Sequence, residues 1–397
     1  MNRLPVAPLL PQIFFGLVAF IFLFKMINDI RLHGGEFLGQ DTSSEMSSSL
    51  AATNYLKDGF TSSAFLPKYG GPNNENSPSQ PILESPYYTH FFPGPDLLLG
   101  FVYKVFGSDP TVTKWARLLP MLHVFLAVML LCLLAETLIW QRNPWIKGVA
   151  AAFLLFPPAM RPWALHLHGH AYTSSYILFG LCLGLVADRQ KLRSWLPICA
   201  FILGFFSIYM LMTSVFVVFA APFVASLLVP NREASFHRQA AWLSFWVGVG
   251  LVAAFAVHFL QIVNLFSLHD AILDQFGTAL VRASGNRNGS ACGRGQILGQ
   301  YSNHVYGFFG LSSLSMFLGG AFMAWLYRGP KRNRMKLFFA ILGAGIASYF
   351  WVIVMHGHAC GHLHVNPRIF YLMYSVFIMM AGVLAAMKLN VHEDVRA

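Results

Sequence analysis

The run LLPMLHVFLAVMLLCLLAETLIW, from Leu118 to Trp140, decides the class of fold: its 23 residues carry one formal charge, Glu136. At 1.5 Å per residue such a run crosses a hydrocarbon core about 30 Å thick. Comparable apolar segments recur near 11–27, 146–160, 172–187, 195–211, 213–229, 239–262, 306–327, 337–355 and 369–387. The chain of 397 residues is 56% hydrophobic and 11% charged, with a mean hydropathy of +0.55. These features predict an all-α, polytopic membrane protein of about ten transmembrane helices in a single domain over 1–397, and they exclude a soluble globular protein. Leu97 to Phe106 is apolar but covers only about half of a bilayer core, and reads as an interfacial helix.

Basic residues orient the chain. With the N-terminus inside, the inner segments hold fifteen basic and five acidic residues, whereas the outer segments hold eleven of each. The contrast is strongest in the short loop Arg328-Gly329-Pro330-Lys331-Arg332-Asn333-Arg334. The formal net charge of +11 is therefore mostly a topology signal, and nucleic-acid binding is not implied. Asn2-Arg3 before the first apolar run suits an uncleaved signal anchor. The same orientation puts eleven of the fifteen histidines outside, on the side of two long external loops, 28–96 and 263–305. Cys132, Cys182 and Cys199 fall in apolar spans as small packing residues. Cys292 and Cys360 both fall outside, where a disulfide between them is open.

The first external loop is the most informative polar segment. It carries Asp41 and Glu45 and closes with Tyr87-Tyr88-Thr89-His90-Phe91-Phe92-Pro93-Gly94-Pro95. Ser43 to Lys57 lacks Pro and Gly and predicts a helix capped by Thr42 or Ser43, with Asp41 at its N-terminal edge, where the helix dipole favours an anion. Pro67 to Pro86, rich in Pro, Gly, Asn and Ser, reads as irregular loop.

The order of these elements resembles the GT-C superfamily, integral membrane glycosyltransferases that take sugars from polyprenyl-phosphate carriers. Gly39-Gln40-Asp41, Glu45 and Tyr55-Leu56-Lys57-Asp58-Gly59-Phe60 look like the acidic first loop of that family. Thr89-His90-Phe91-Phe92-Pro93-Gly94-Pro95, followed by Tyr103-Lys104-Val105-Phe106-Gly107, looks like its His/Pro turn and short apolar helix, and Ala116-Arg117-Leu118-Leu119-Pro120 like the entry to the next span. His364-Val365-Asn366-Pro367-Arg368-Ile369-Phe370-Tyr371 resembles its late external His and Arg-aromatic segment. One departure stands out. Arg161 to Tyr172, with His166, His168 and His170, lies where related enzymes often have an acidic turn, and it has no carboxylate.

The resemblance implies transfer of a sugar from a polyprenyl-phosphate donor to a lipid, glycan or protein acceptor, on the outer face of a membrane such as the bacterial inner membrane. Such transfer needs a carboxylate near the acceptor and cations at the leaving phosphate. Asp41 is the candidate for the first role, with Glu45 one turn on as support or alternative; capping of the loop helix is the other use of Asp41. Arg368 is the candidate phosphate ligand, against snorkelling to headgroups. His90, His364, His168, His170, Arg282 and Arg294 complete the expected substrate contacts, the last two in a Gly/Asn/Ser-rich loop. The i, i+2 and i, i+4 histidine spacings also leave a divalent metal open, and with it a histidine-ligated membrane metalloenzyme. A transporter is the reading outside catalysis; Lys25, His123 and His258 are the polar residues within spans that it could use.

Overall fold

The computed structural model describes residues 9–35, 42–69, 77–140, 143–158, 160–284, 294–361 and 366–394. Asp41, His364 and Cys292 lie outside them. The described chain is a bundle of helices, labelled here α1 Leu9–His33, α2 Thr42–Asp58, α3 Gly94–Phe106, α4 Leu118–Leu138, α5 Trp145–Leu155, α6 His170–Leu185 and α7 Leu196–Met210. They continue with α8 Val215–Leu228, α9 Ala234–Leu265, α10 Leu268–Ser284, α11 Arg294–Phe309, α12 Ser313–Leu326, α13 Lys331–Val354 and α14 Tyr371–Asp394.

Among the described residues, five helices are long and apolar enough to cross a membrane: Leu9–His33, Pro110–Leu138, Ala234–Leu265, Lys331–Val354 and Arg368–Met387. Trp145–Leu155, Leu196–Met210, Met212–Leu228 and Ser313–Leu326 are apolar but shorter. The expected count of ten crossings is thus not established, although a helix stands at each expected span. The segment 306–327 is divided between α11 and α12, because Gly310 adopts a left-handed conformation (φ 71°) and Ser312 caps the next helix through Ser315 N.

The apolar side chains do two jobs. Phe22, Val128, Ile177, Val218, Ala344 and Met379 pack inward, while Phe20, Leu126, Phe245, Phe322 and Ile353 remain exposed, as expected where lipid replaces water. Small residues let the helices close up. A Cβ on Gly204 of α7 would collide with the Val247 carbonyl of α9, and one on Gly250 of α9 with the Phe201 carbonyl of α7. The same device joins α6 to α8, where Gly184 meets the Pro222 carbonyl.

The loop helix predicted over 43–57 is α2, and the short apolar helix is α3, 13 residues or about 20 Å long. The two pack on each other, and Tyr55, Phe60 and Phe101 stack with centroids 5.0 and 4.7 Å apart. Within the segment read as irregular, Gln80–Leu83 is a single helical turn. Cys132, Cys182 and Cys199 are free, and Cys360 is disulfide-bonded.

Candidate functional site

Two turns of the chain meet at the end of α7. Gly94, closing His90-Phe91-Phe92-Pro93, lies against the Tyr209 carbonyl, and Gly169, between His168 and His170, lies against the Met210 carbonyl. A Cβ at either glycine would collide with that backbone, so the approach requires glycine. Pro95 packs beside Gly169. Segments about eighty residues apart in sequence are thereby locked side by side.

From this junction a row of rings and cations crosses the site. The Arg368 guanidinium lies over the Trp163 ring, 3.8 Å from its centroid. Trp163 meets His170 edge-on at 6.0 Å, His170 lies 4.7 Å from His168, and His168 meets Phe91 edge-on at 6.1 Å. Beyond Phe91 stands Arg282, 5.5 Å from that ring, whose NH1 donates to the His90 carbonyl at 3.4 Å. His166 joins the row 5.6 Å from His170. Arg368, Arg282 and the four histidines of these turns are all buried. Arg368 sits in the turn Asn366–Phe370 that leads into α14, and borders a crevice of about 10 Å³ with Met160, Trp163, Ser174, Phe308 and Tyr371. The crevice has room for about one water.

His90 is gripped by one face of α10. Its Nε2 stands 3.1 Å from Asp274 Oδ1 and 3.1 Å from Thr278 Oγ1. Asp274 also accepts from Ser77 Oγ (2.5 Å), Thr89 Oγ1 (2.7 Å) and Gln275 Nε2 (2.9 Å). Burial by itself would raise the Asp274 carboxyl; the bonds and charge from His90, with those from Ser77 and Thr89, outweigh it and hold the group below its ordinary value. Asp274, Thr278 and Arg282 follow one another at four-residue spacing, which places them on one helical face. Arg282 and Arg294 therefore stand on helices and not in an irregular loop.

Glu45 is fully buried. Arg117 closes on it with NH1 2.5 Å from Oε1 and NH2 3.2 Å from Oε2, and the Leu167 amide donates to Oε1 at 2.8 Å. The same guanidinium donates to the carbonyls of Gly34 and Leu165. Glu45 thus ties α2 to the start of α4 and to the histidine turn. Asp96, in the first turn of α3, accepts from the Tyr69 hydroxyl at 2.9 Å, and burial pushes its carboxyl up to about 6 against the bond from Tyr69.

No three His, Cys, Asp or Glu side chains among the described residues are set to hold a metal ion. The oxygens of Glu45 are committed to Arg117 and the Leu167 amide, and the residues from 160 to 172 contribute imidazoles without a carboxylate.

Asp274, Arg117, Trp163 and Asp96 were absent from the sequence-derived site. The spacing Asp274, Thr278, Arg282 was the readable signal for the first; for the others, pairing across many residues left none.

A bundle of apolar helices with a polar, cation-rich site is the architecture of an integral membrane protein. No family profile and no curated protein matches the sequence. Among solved structures the chain is similar to the archaeal oligosaccharyltransferase AglB from Archaeoglobus fulgidus, a GT-C superfamily membrane glycosyltransferase, in complex with an inhibitory peptide and a dolichol-phosphate. The TM-score is 0.54 at 12% identity, over 98% of this chain and 51% of that one. The apo form of the oligosaccharyltransferase from the same organism aligns at TM-score 0.47 and 14% identity, over 92% of this chain and 50% of that one. This chain spans about half the length of the solved structures it matches.

Proposed function

We propose that this protein is a membrane glycosyltransferase that moves a sugar from a polyprenyl-phosphate donor to an acceptor on the outer face of the membrane, such as the periplasmic face of a bacterial inner membrane. The observation that carries the proposal is the buried row from Arg368 through Trp163, His170, His168 and Phe91 to Arg282, set in a GT-C fold. Two arginines and several imidazoles buried together form an anion site, and arginine can bind phosphate through two parallel bonds.

In this reading the acceptor oxygen attacks the anomeric carbon while Asp41 takes its proton. The bond from that carbon to the phosphate oxygen breaks, and its electron pair leaves with the lipid phosphate. Arg368, His168 and His170 stabilise the charge that develops there, with Arg282 and His90 at the far end of the row and His364 and Arg294 as further contacts. Glu45 anchors α2, the helix that follows Asp41 in sequence. The lipid tail follows an apolar groove of about 630 Å³ between α5 and α14, lined by Val149, Phe153, Tyr374, Phe377 and Ile378. Phe309 borders both this groove and the Arg368 crevice, so the groove for the tail reaches the wall behind which Arg368 lies. The acceptor is a lipid, glycan or protein.

The test is transfer of labelled sugar from polyprenyl-phosphate donors in membranes holding wild type, Asp41→Asn or Arg368→Ala, with and without chelator. Transfer by wild type that both variants lose and chelator spares is the expected result. Transfer that survives both substitutions overturns the reading.

A further inference from the structure

Helix α10 has two unlike faces. Asp270, Asp274, Thr278 and Arg282 form one, bonded to Ser79, to Ser77, Thr89 and His90, and to the His90 carbonyl. On the opposite face Leu268, Ile272, Phe276 and Leu280 repeat every four residues and are 56%, 42%, 61% and 71% exposed. The exposed apolar surface of α4 or α9 is explained by spanning a bilayer. That of α10 is not, since its 17 residues include His269, Asp270, Asp274 and Arg282 and it is not among the candidate spans.

The position of α10 identifies what covers the stripe. The exposed apolar belt of α9 runs from Trp242 to Leu260, about 27 Å of helix, which matches a hydrocarbon core. The chain then leaves α9 at Leu265, turns through an extended Phe266, and restarts at Leu268. Ser267 sets that start as a cap: Asp270 N donates to its hydroxyl at 3.1 Å, and the hydroxyl donates back to Asp270 Oδ2 at 2.5 Å. Helix α10 therefore begins within about two turns of the depth at which the α9 belt ends. An amphipathic helix at that depth lies in the plane of the membrane interface, its apolar face among the upper acyl chains.

We propose that the stripe Leu268, Ile272, Phe276 and Leu280 docks into the interfacial layer of the lipid bilayer. The helix then works as a float. Its buried face holds His90 and Arg282, so the membrane surface sets the height of that end of the site. This consequence rests on the glycosyltransferase reading; the docking itself does not, and the experiment reads docking alone.

Nitroxide labels at Phe276→Cys and Leu280→Cys, with the exposed free Cys199 replaced by Ser, are measured in phosphatidylcholine vesicles for collision with oxygen and with a water-soluble nickel chelate. Docking predicts ready oxygen access and loss of nickel access at both sites. In the wild type, phosphatidylcholine bearing a diazirine near its glycerol should label the peptide over 268–280, which keeps the test independent of how the variants fold. Nickel access at both positions, meaning that the stripe stands in water, overturns the proposal. So does shielding from both reagents with spin–spin broadening, which means that a second copy covers it, or absence of lipid label on α10.

Discussion

Glu45 and Arg117 meet across 72 residues as a pair sealed from solvent, with Arg117 reaching two further carbonyls, those of Gly34 and Leu165. One guanidinium thus holds the end of α1, the loop helix α2 and the histidine turn together. Removing one partner of a buried pair leaves the other charge uncompensated and costs about 3–5 kcal/mol. Glu45→Gln should lower stability by that order in thermal unfolding of the purified protein. The double variant Glu45→Leu, Arg117→Met should lose less than the sum of the single changes. Equal stability of wild type and Glu45→Gln would show that the pair does not hold the loop.

Gly169 offers a test of site geometry apart from site chemistry. A methyl group there would push on the Met210 carbonyl and force the turn that carries His168 and His170 to shift. A shift of about 1 Å at a reacting centre costs on the order of a hundredfold in rate. Gly169→Ala should lower transfer by that order and lower the melting temperature as well, because the atom it meets is backbone. Unchanged transfer would detach these histidines from the reaction.

Trp163 holds Arg368 through its ring face. A cation–π contact in a desolvated place contributes about 1–2 kcal/mol, roughly five- to thirtyfold in binding. Trp163→Leu should raise the donor KM by that factor with a smaller effect on kcat. Arg368→Lys should do worse, because an ammonium cannot reproduce the two parallel bonds of a guanidinium. A KM unmoved by either change would assign Arg368 to headgroup contact.

Two carboxyls set opposite pH trends. Asp96 is raised by burial from its ordinary 3.8 to about 6, so the folded chain prefers it protonated. Its destabilising effect is absent below about 4, grows as pH rises and is complete above about 6, on the order of 3 kcal/mol. Asp274 is depressed, so it stabilises the fold above its ordinary value, an effect lost as pH falls toward its folded value. Unfolding followed from pH 4 to pH 7, roughly the interval between those values, should show Asp96→Asn gaining on wild type as pH rises. Asp274→Asn should instead keep its full disadvantage across that interval and lose it only as the pH falls below about 4. Parallel curves for wild type and Asp96→Asn would remove the first claim.

What could be read from the residues follows from how local each signal is. The apolar spans, the loop helix starting at Thr42 and the short helix ending at Phe106 are patterns within one segment, and each is a helix in the structure. The class of fold follows from them and from the order of the loop motifs. The grip of Asp274 on His90 depends on α10, whose two-faced repeat was hidden among charges and read as loop. Glu45 stood out as an acid near Asp41, but its partner Arg117 lies beyond α3, and no periodicity links the two. The break at Gly310 was missed because residues on both sides are equally apolar.

The contact of Gly94 and Gly169 with the last carbonyls of α7 has an electrostatic consequence. The final turn of an α-helix carries a partial negative charge of about half an electron, concentrated on those carbonyls. With no side chain on either glycine, nothing thicker than a hydrogen separates that pole from the turns that carry His90, His168 and His170. The bundle therefore holds a fixed negative potential beneath its row of cations, drawing positive charge to the place where an anionic leaving group would need it.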